Sequence, residues 1–173
     1  MKTAQMIQKM ANMDHYITAV AEPHQPDATL QALATLANEI LDLKQFTMMA
    51  SDEDRGMARR IYSDAPGAYP VGGEKPIPAN VWTEIIFERK ETFVGNSIKE
   101  LRQVFPDWEL IQSLGLESCL NLPIIIAGKV VGTLNCLNVA GHFTQERIAS
   151  ANQLKLPGAV AFMLAARQSG QQT

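Results

Sequence analysis

Three histidines, two cysteines and a spaced set of glutamates are the side chains in this 173-residue chain best able to do acid–base or covalent chemistry. His15, His24 and His142 stand outside any dense polar motif, whereas nucleophilic catalysis needs a nucleophile held by an oriented base. No catalytic residue is assigned: His15 reads as decoration of a helix, and His24 and His142 as solvated linker or loop residues. Glu84, Glu88 and Glu91 recur at helical spacing and read as a solvated face rather than an acid–base pair. Cys119 and Cys136 have neither CxxC nor Cys/His ligand spacing, so neither a zinc site nor a disulfide framework is expected. Two such cysteines suit a reducing compartment, the cytoplasm.

The residues that could bind rather than react are more numerous. Tyr69, Lys75, Trp82, Asn96, Phe105 and Trp108 combine apolar walls with a few polar anchors, as a small-molecule pocket requires; Trp82, Phe105 and Trp108 could equally fill core. Asn121 and Asn135 fall in segments that read as central strands, where amides must find partners. Those partners are either a ligand or neighbouring backbone. Gly72-Gly73 lacks both phosphate-loop and dinucleotide spacing, so a turn requirement explains it.

Length and charge bound the partners. A chain this long buries roughly 70% of its unfolded surface as one domain, and 46% apolar against 19% charged residues makes it a folded domain rather than a disordered one. The formal charge of -3, with no Lys/Arg cluster, removes the electrostatic footprint for nucleic acid or an anionic membrane. Gln and Lys interrupt the apolar residues at the start, so no signal peptide is expected. The uncharged stretch 157–166 is too short for a bilayer, which needs about 20 residues.

Positioning elements follow from the periodicities. Met6, Met10, Met13, Ile17 and Val20 alternate steps of four and three, one stripe of a helix that needs a partner; Pro23 and Pro26 end it. Asp27 or Thr29 caps a second helix with an apolar face from Leu30 to Leu41. Segments 46–50 and 58–63 flank a polar turn as a β-hairpin, and 64–79, with four prolines and three glycines, reads as a long loop. Residues 80–90 read as a helix, 92–94 as a short strand, and Ser97 and Asp107 cap two short helices, the second ending at Gly115. Segments 119–126 and 129–139 flank Ala127-Gly128 as a hairpin. Counting outward places Leu120, Leu122, Ile124, Val131, Thr133, Asn135 and Leu137 on one face, with Cys119, Asn121, Ile125, Val130, Leu134 and Cys136 on the other. Both faces are largely apolar, which demands helices on both sides: a three-layer α/β/α sandwich around an antiparallel sheet. The same count sets Cys119 opposite Cys136, their Cβ atoms about 4.5 to 5.5 Å apart, and the expectation is two reduced, buried thiols. Thr144 caps a final helix with Phe143 and Ile148 as its staple, and Pro157-Gly158 is expected to kink or break it before residues 159–167, since proline costs about 3 kcal/mol in a helix interior.

The segments Ser113-Leu114-Gly115-Leu116-Glu117-Ser118-Cys119-Leu120-Asn121-Leu122-Pro123-Ile124 and Gly128-Lys129-Val130-Val131-Gly132-Thr133-Leu134-Asn135 resemble the GAF domain signature, as does Phe143-Thr144-Gln145-Glu146 at the entry to the last helix. The resemblance covers residue 29 to about residue 166. Arg60-Ile61-Tyr62-Ser63 with Tyr69-Pro70-Val71-Gly72-Gly73-Glu74-Lys75-Pro76, and later Phe93-Val94-Gly95-Asn96, resemble a subgroup of short, stand-alone bacterial GAF proteins. The resemblance implies a GAF-like sandwich with a cavity between one sheet face and a loop-plus-short-helix insertion, where members bind cyclic nucleotides, tetrapyrroles or other small ligands. The Cys-His pair that holds bilin and the Asn-Lys-Phe-Asp-Glu pattern of cyclic-nucleotide members are missing, which disfavours both ligands. Three functions stay in view: a non-catalytic small-molecule sensor in signal transduction, a structural interaction module whose pocket its own side chains fill, and, as the outsider, a free methionine sulfoxide reductase, whose cysteine arrangement is not visible. The sensor is favoured, with its ligand and any cofactor left unknown. The loop 64–79 is expected to form a pocket wall, with Tyr69 and Lys75 facing a small ligand, neutral or anionic. The organisation expected is a dimerising helix and linker over 1–28, the domain over 29–168 and a frayed tail over 169–173, with the Met6 to Val20 stripe forming a homodimer or, failing that, folding back on its own domain.

Overall fold

The computed structural model describes residues 13–170, with side chains up to residue 168. Helix α1 occupies residues 13–21 and α2 runs Asp27–Leu41. Strands β1 (Gln45–Asp52) and β2 (Met57–Ser63) form the first hairpin, followed by β3 (Gly72–Pro76). Helix α3 (Val81–Thr83) continues as a π-helical turn to Glu88 and leads to β4 (Phe93–Gly95). The short helices α4 (Ile98–Leu101) and α5 (Trp108–Ser113) precede the central hairpin of β5 (Ser118–Ile126) and β6 (Lys129–Asn138). Helix α6 (Gln145–Ala151) passes through a 3-10 turn into α7 (Lys155–Gly170).

The six strands make one sheet in the order β3-β2-β1-β6-β5-β4, every neighbour antiparallel. Two apolar clusters sit on its two faces. One packs Phe46, Met48, Leu120, Leu134 and Cys136 beneath Leu33, Phe143 and Phe162 of the long-helix layer. The other packs Phe93, Cys119 and Leu137 against Ile86, Leu101 and Ile111 of the short helices. The sheet is therefore apolar on both sides, as its near-continuous hydrophobic strands require.

The caps are local. Asn80 accepts from the backbone N–H groups of Trp82 and Thr83, Ser97 from Glu100 and Thr144 from Arg147. Asp107 precedes α5 without a side-chain cap bond. The expected caps of α2 are not used either: Pro26 holds the cap position. Its neighbour Gln25 instead ties α1 to α2, donating to the carbonyls of Ala19 and Glu22 while accepting from the Thr29 hydroxyl. Ala127 and Gly128 adopt the positive φ values of 49° and 81° that the hairpin turn demands.

Several expectations need correction. The segment 64–79 is not all loop, because Gly72 to Pro76 adds an edge strand to β2, and Gly72 and Gly73 take φ values of 86° and 70° to do so. Pro157 does not break the last helix. The interruption comes earlier, at Asn152–Leu154, and Pro157 lies in the first turn of α7, where its missing N–H would have no intrahelical partner in any case. Gly158 is there for contact, since a Cβ on it would lie 2.7 Å from Ile124 Cδ1. His142 is half-buried rather than solvated: its Nε2 lies 2.8 Å from the Leu41 carbonyl at the end of α2 and 3.1 Å from Asn138 Nδ2.

Residues Met6 and Met10 of the N-terminal stripe lie outside the described residues, as do 171–173 of the tail. Tyr16 and Ala19 of α1 are buried in the long-helix cluster, and the Tyr16 hydroxyl donates to the Pro157 carbonyl at 2.6 Å. Ile17, a stripe residue, points outward and is 59% exposed.

The central register also departs from a simple count. Ile126 faces Lys129 and Ile125 faces Val130, but Ile124 faces Gly132. Val131 is the extra residue of a β-bulge, and its neighbour's N–H, on Val130, donates to Glu53 Oε1 at 2.9 Å. A one-residue shift inverts every side chain beyond it. Thr133, Asn135 and Leu137 therefore join Cys119 and Asn121 on the short-helix side, while Leu134 and Cys136 join Leu120 and Leu122 beneath the long helices. Cys136 faces Leu120 and Cys119 faces Leu137, so the two thiols point to opposite faces instead of to each other.

Candidate functional site

A pocket of about 310 Å³ opens on the short-helix face of the sheet, at the low end of the usual range for ligand clefts. Its floor is made by alternate residues of four strands, among them Thr47, Arg60, Asn121, Thr133 and Asn135. Its walls are Tyr69, the Pro76-Ile77-Pro78 run at the end of β3, and residues 104–107 between α4 and α5. Two ties hold those walls: Asn80 Nδ2 donates to the Val104 carbonyl at 2.9 Å, and the Ile77 N–H to the Gly56 carbonyl at 2.9 Å.

Of the eight residues expected to bind, Tyr69, Lys75, Trp82, Phe105, Asn121 and Asn135 line this pocket. Asn96 and Trp108 stand elsewhere. Asn96 brackets Phe143, donating to its carbonyl and accepting from its N–H, which fastens β4 to the start of α6. Trp108 opens α5 beneath the guanidinium of Arg102, 5.7 Å from the ring centre. Both are structural fasteners that sequence proximity to β4 and α5 cannot distinguish from pocket residues.

The floor carries a polar row. Trp82 Nε1 donates to Asn121 Oδ1 at 2.9 Å, Asn121 Nδ2 to Asn135 Oδ1 at 2.7 Å, and Asn135 Nδ2 to the Thr47 hydroxyl at 3.3 Å. Asn121 and Asn135 are direct cross-strand partners only because of the bulge at Val131. Their amides thus satisfy each other across the sheet rather than capping backbone. The Thr47 hydroxyl hydrogen at the end of the row is free to rotate toward a ligand.

Arg60, Asp107, Thr47 and Thr133 also line the pocket and were not among the residues the sequence marked as binding. Arg60 faces the pocket because of a second bulge. Met49 pairs with Arg60 and Met48 with Tyr62, leaving Ile61 as the extra residue of β2. Without it, Arg60 and Tyr62 would share a face by alternation; with it, Tyr62 packs beneath the long helices and Arg60 turns the other way. A bulge depends on the partner strand, so no local signal announces it.

The electrostatics at this end of the pocket are unusual. Arg60 Nη1 donates to the Pro70 carbonyl at 3.2 Å, and its guanidinium lies 5.0 Å from the Tyr69 ring centre. Arg60 Nε and the Tyr69 hydroxyl are both buried without a hydrogen-bond partner, at a cost of about 1 to 3 kcal/mol for such a group. Burial lowers the Arg60 pKa from its ordinary value, although a guanidinium stays charged at any physiological pH. Burial, helped by the nearby Asp107 carboxylate, pushes Tyr69 up to about 12, so it remains a phenol and a donor.

The thiols offer no reactive chemistry. Burial pushes Cys119 up to about 12 and Cys136 well above the ordinary thiol value, and only the thiolate is nucleophilic. Protein purified without reductant is expected to show no thiol reacting promptly with Ellman's reagent when native and two when denatured in urea. Fewer than two in the denatured chain would mean that one of these buried cysteines is oxidised. Among the described residues, no group of three or more His, Cys, Asp or Glu side chains could hold a metal ion, and no helix is long and apolar enough to cross a membrane.

Comparison with known proteins adds the family. The family model for the GAF domain matches residues 23–162. No curated protein matches the chain. Among solved structures, the GAF domain of a phosphoenolpyruvate-protein phosphotransferase from Coxiella burnetii superposes with a TM-score of 0.69 at 19% identity, covering 95% of this chain and 98% of that one. The GAF domain of a two-component sensor histidine kinase from Bacillus halodurans gives 0.66 at 16% identity, covering 83% and 97%. The chromophore-binding domain of a bacteriophytochrome from R. palustris gives 0.65 at 13% identity, covering 97% of this chain and 63% of that one. At these identities the structures show a shared fold, and together with the family match over 23–162 they establish that the chain belongs to the GAF domain family.

Proposed function

We propose that this chain is a non-catalytic sensory domain that encloses a small molecule in the pocket above Asn121 and Asn135, occupancy shifting the 64–79 segment and the terminal helices. GAF domains are sensory and regulatory modules that often bind small molecules. The observation that carries the reading is the pocket itself: about 310 Å³ remains open between sheet and short helices instead of being filled by Trp82 and Phe105. The placement of Cys119 and Cys136 on opposite sheet faces, both buried, speaks against thiol-based sulfoxide reduction. The free cysteines fit a cytoplasmic protein.

A thermal-shift screen of metabolites tests this. A ligand at a hundred times its Kd stabilises by about 2.7 kcal/mol, which raises Tm by roughly 5 to 10 °C in a domain of this size. Ala58 lines the pocket from β2, and Ala58→Trp is expected to abolish the shift while leaving the far-ultraviolet circular dichroism unchanged. A shift that survives Ala58→Trp would place the ligand elsewhere.

We also propose a homodimer through the long-helix layer. Ile17 on α1 and Leu156 and Met163 on α7 are exposed at 59%, 75% and 48%. Leu156 and Met163 share one side of α7 by their spacing of seven, and the Tyr16–Pro157 hydrogen bond sets α1 beside the start of α7. Light scattering at micromolar concentration is expected to give twice the chain mass, and Ile17→Glu combined with Met163→Glu to give one chain mass with the fold intact. A wild-type monomer would sink the proposal.

A further inference from the structure

The charge at one end of the pocket narrows the class of ligand. Three charged side chains line it: Arg60, Lys75 and Asp107, two cations against one carboxylate. No ion pair among the described residues includes Arg60. Its Nη1 is already committed to the Pro70 carbonyl, while its Nε is buried with no partner. The Tyr69 hydroxyl, on a residue only 7% exposed, is a second unpartnered donor beside it. A guanidinium stacked on a phenol ring in the lining of one cleft, each with a donor that lacks a partner, matches a carboxylate, which accepts two parallel N–H bonds and a third from a hydroxyl. The rest of the lining, including Met49, Ile77, Phe105 and Ile111, is apolar. A phosphate group fits less well, since it brings more charge and more acceptors than two unpartnered donors can satisfy.

We propose that the pocket takes a small organic carboxylate, its anionic end held by Arg60 and Tyr69 and its apolar body lying along the wall formed by Met49, Ile77 and Phe105. This rests on the pocket being the sensory site. Lys75, exposed at the rim on β3, adds attraction without a fixed contact. Asp107 disfavours ligands with a second negative charge.

The test uses the full chain and isothermal titration with monocarboxylates graded from butanoate to indole-3-acetate, each beside its primary amide, together with inorganic phosphate. At least one carboxylate is expected to bind at least tenfold more tightly than its amide, and phosphate not to compete. Arg60→Gln is expected to erase that preference, bringing the acid's affinity down to that of its amide. Because Arg60 also holds Pro70, Tyr69→Phe serves as a second variant, lowering carboxylate affinity several-fold without touching the loop contact. Equal binding of acid and amide, or a preference that survives Arg60→Gln and Tyr69→Phe, overturns the proposal and leaves the sensory pocket standing. Competition by phosphate as strong as by the best carboxylate overturns it in favour of a general anion site. If no acid or amide binds, and a metabolite screen likewise gives no shift that Ala58→Trp removes, both readings fall together.

Discussion

Gly132→Ala is expected to destabilise the fold by about 3 kcal/mol, the upper end of what one inserted methyl costs in a packed core. Gly132 follows the bulged Val131 and faces the long-helix layer. A Cβ built on it would lie 2.3 Å from the Met49 carbonyl oxygen and 2.4 Å from the Phe162 ring. The ring could tilt, but the carbonyl belongs to β1, whose next residue, Ala50, is paired with Gly132 itself in the ladder. Relief therefore requires opening the sheet at its centre. Urea denaturation is expected to show a midpoint lowered by roughly 1 to 2 M with little change in slope. Adding Phe162→Leu is expected to restore little of the loss, because the backbone contact remains. A midpoint shift below a few tenths of a molar would mean that the strands separate more easily than their register implies.

The second large effect concerns the polar row. Asn121→Leu removes the acceptor for Trp82 Nε1 and the donor for Asn135 Oδ1 in one step. Each group left unsatisfied in a buried site costs about 1 to 3 kcal/mol; Asn121 itself is 3% exposed. A loss of about 3 kcal/mol is expected. Asn135→Leu strands Asn121 Nδ2 but leaves Thr47 able to re-aim its hydroxyl, so its loss should be smaller. The double variant removes both amides, and its loss is expected to fall short of the sum by about 1 kcal/mol or more, as for any pair in direct contact. Equilibrium unfolding followed by tryptophan fluorescence measures all three. Additive losses would show that the amides do not support one another.

The two predictions depend on the same residue, Val131, and on what its bulge does to the strand. The sequence around it is legible up to that point. Ala127-Gly128 announces the turn because few residues tolerate its positive φ, and Ser97 and Thr144 announce helix starts because their hydroxyls reach the orphan N–H groups within three residues. Each of these signals is a contact between near neighbours, so the sequence carries both partners. The two-sided apolarity of 119–137 likewise forces covering layers on both faces whatever the details of pairing.

The extra residues at Val131 and Ile61 have no such local signature. The bulge at Val131 is held by the bond from the neighbouring Val130 N–H to the Glu53 carboxylate, 77 residues away from Val130, and by the close passage of Met49 and Phe162 over Gly132; Ile61 is extra only relative to β1. Both decide function-bearing geometry, one by setting Asn121 against Asn135 and the other by turning Arg60 into the pocket. The sequence by itself thus determined the family, the sandwich, several helix starts, the central turn and six of the residues that line the pocket, because these follow from periodicity, short-range bonds and the family motifs. Which face each residue of the central hairpin takes, that the Gly72 segment pairs as a strand, and that a half-buried guanidinium lines the pocket were decided only by the tertiary structure, because strand register is an agreement between distant segments, and a shift of one residue reverses it.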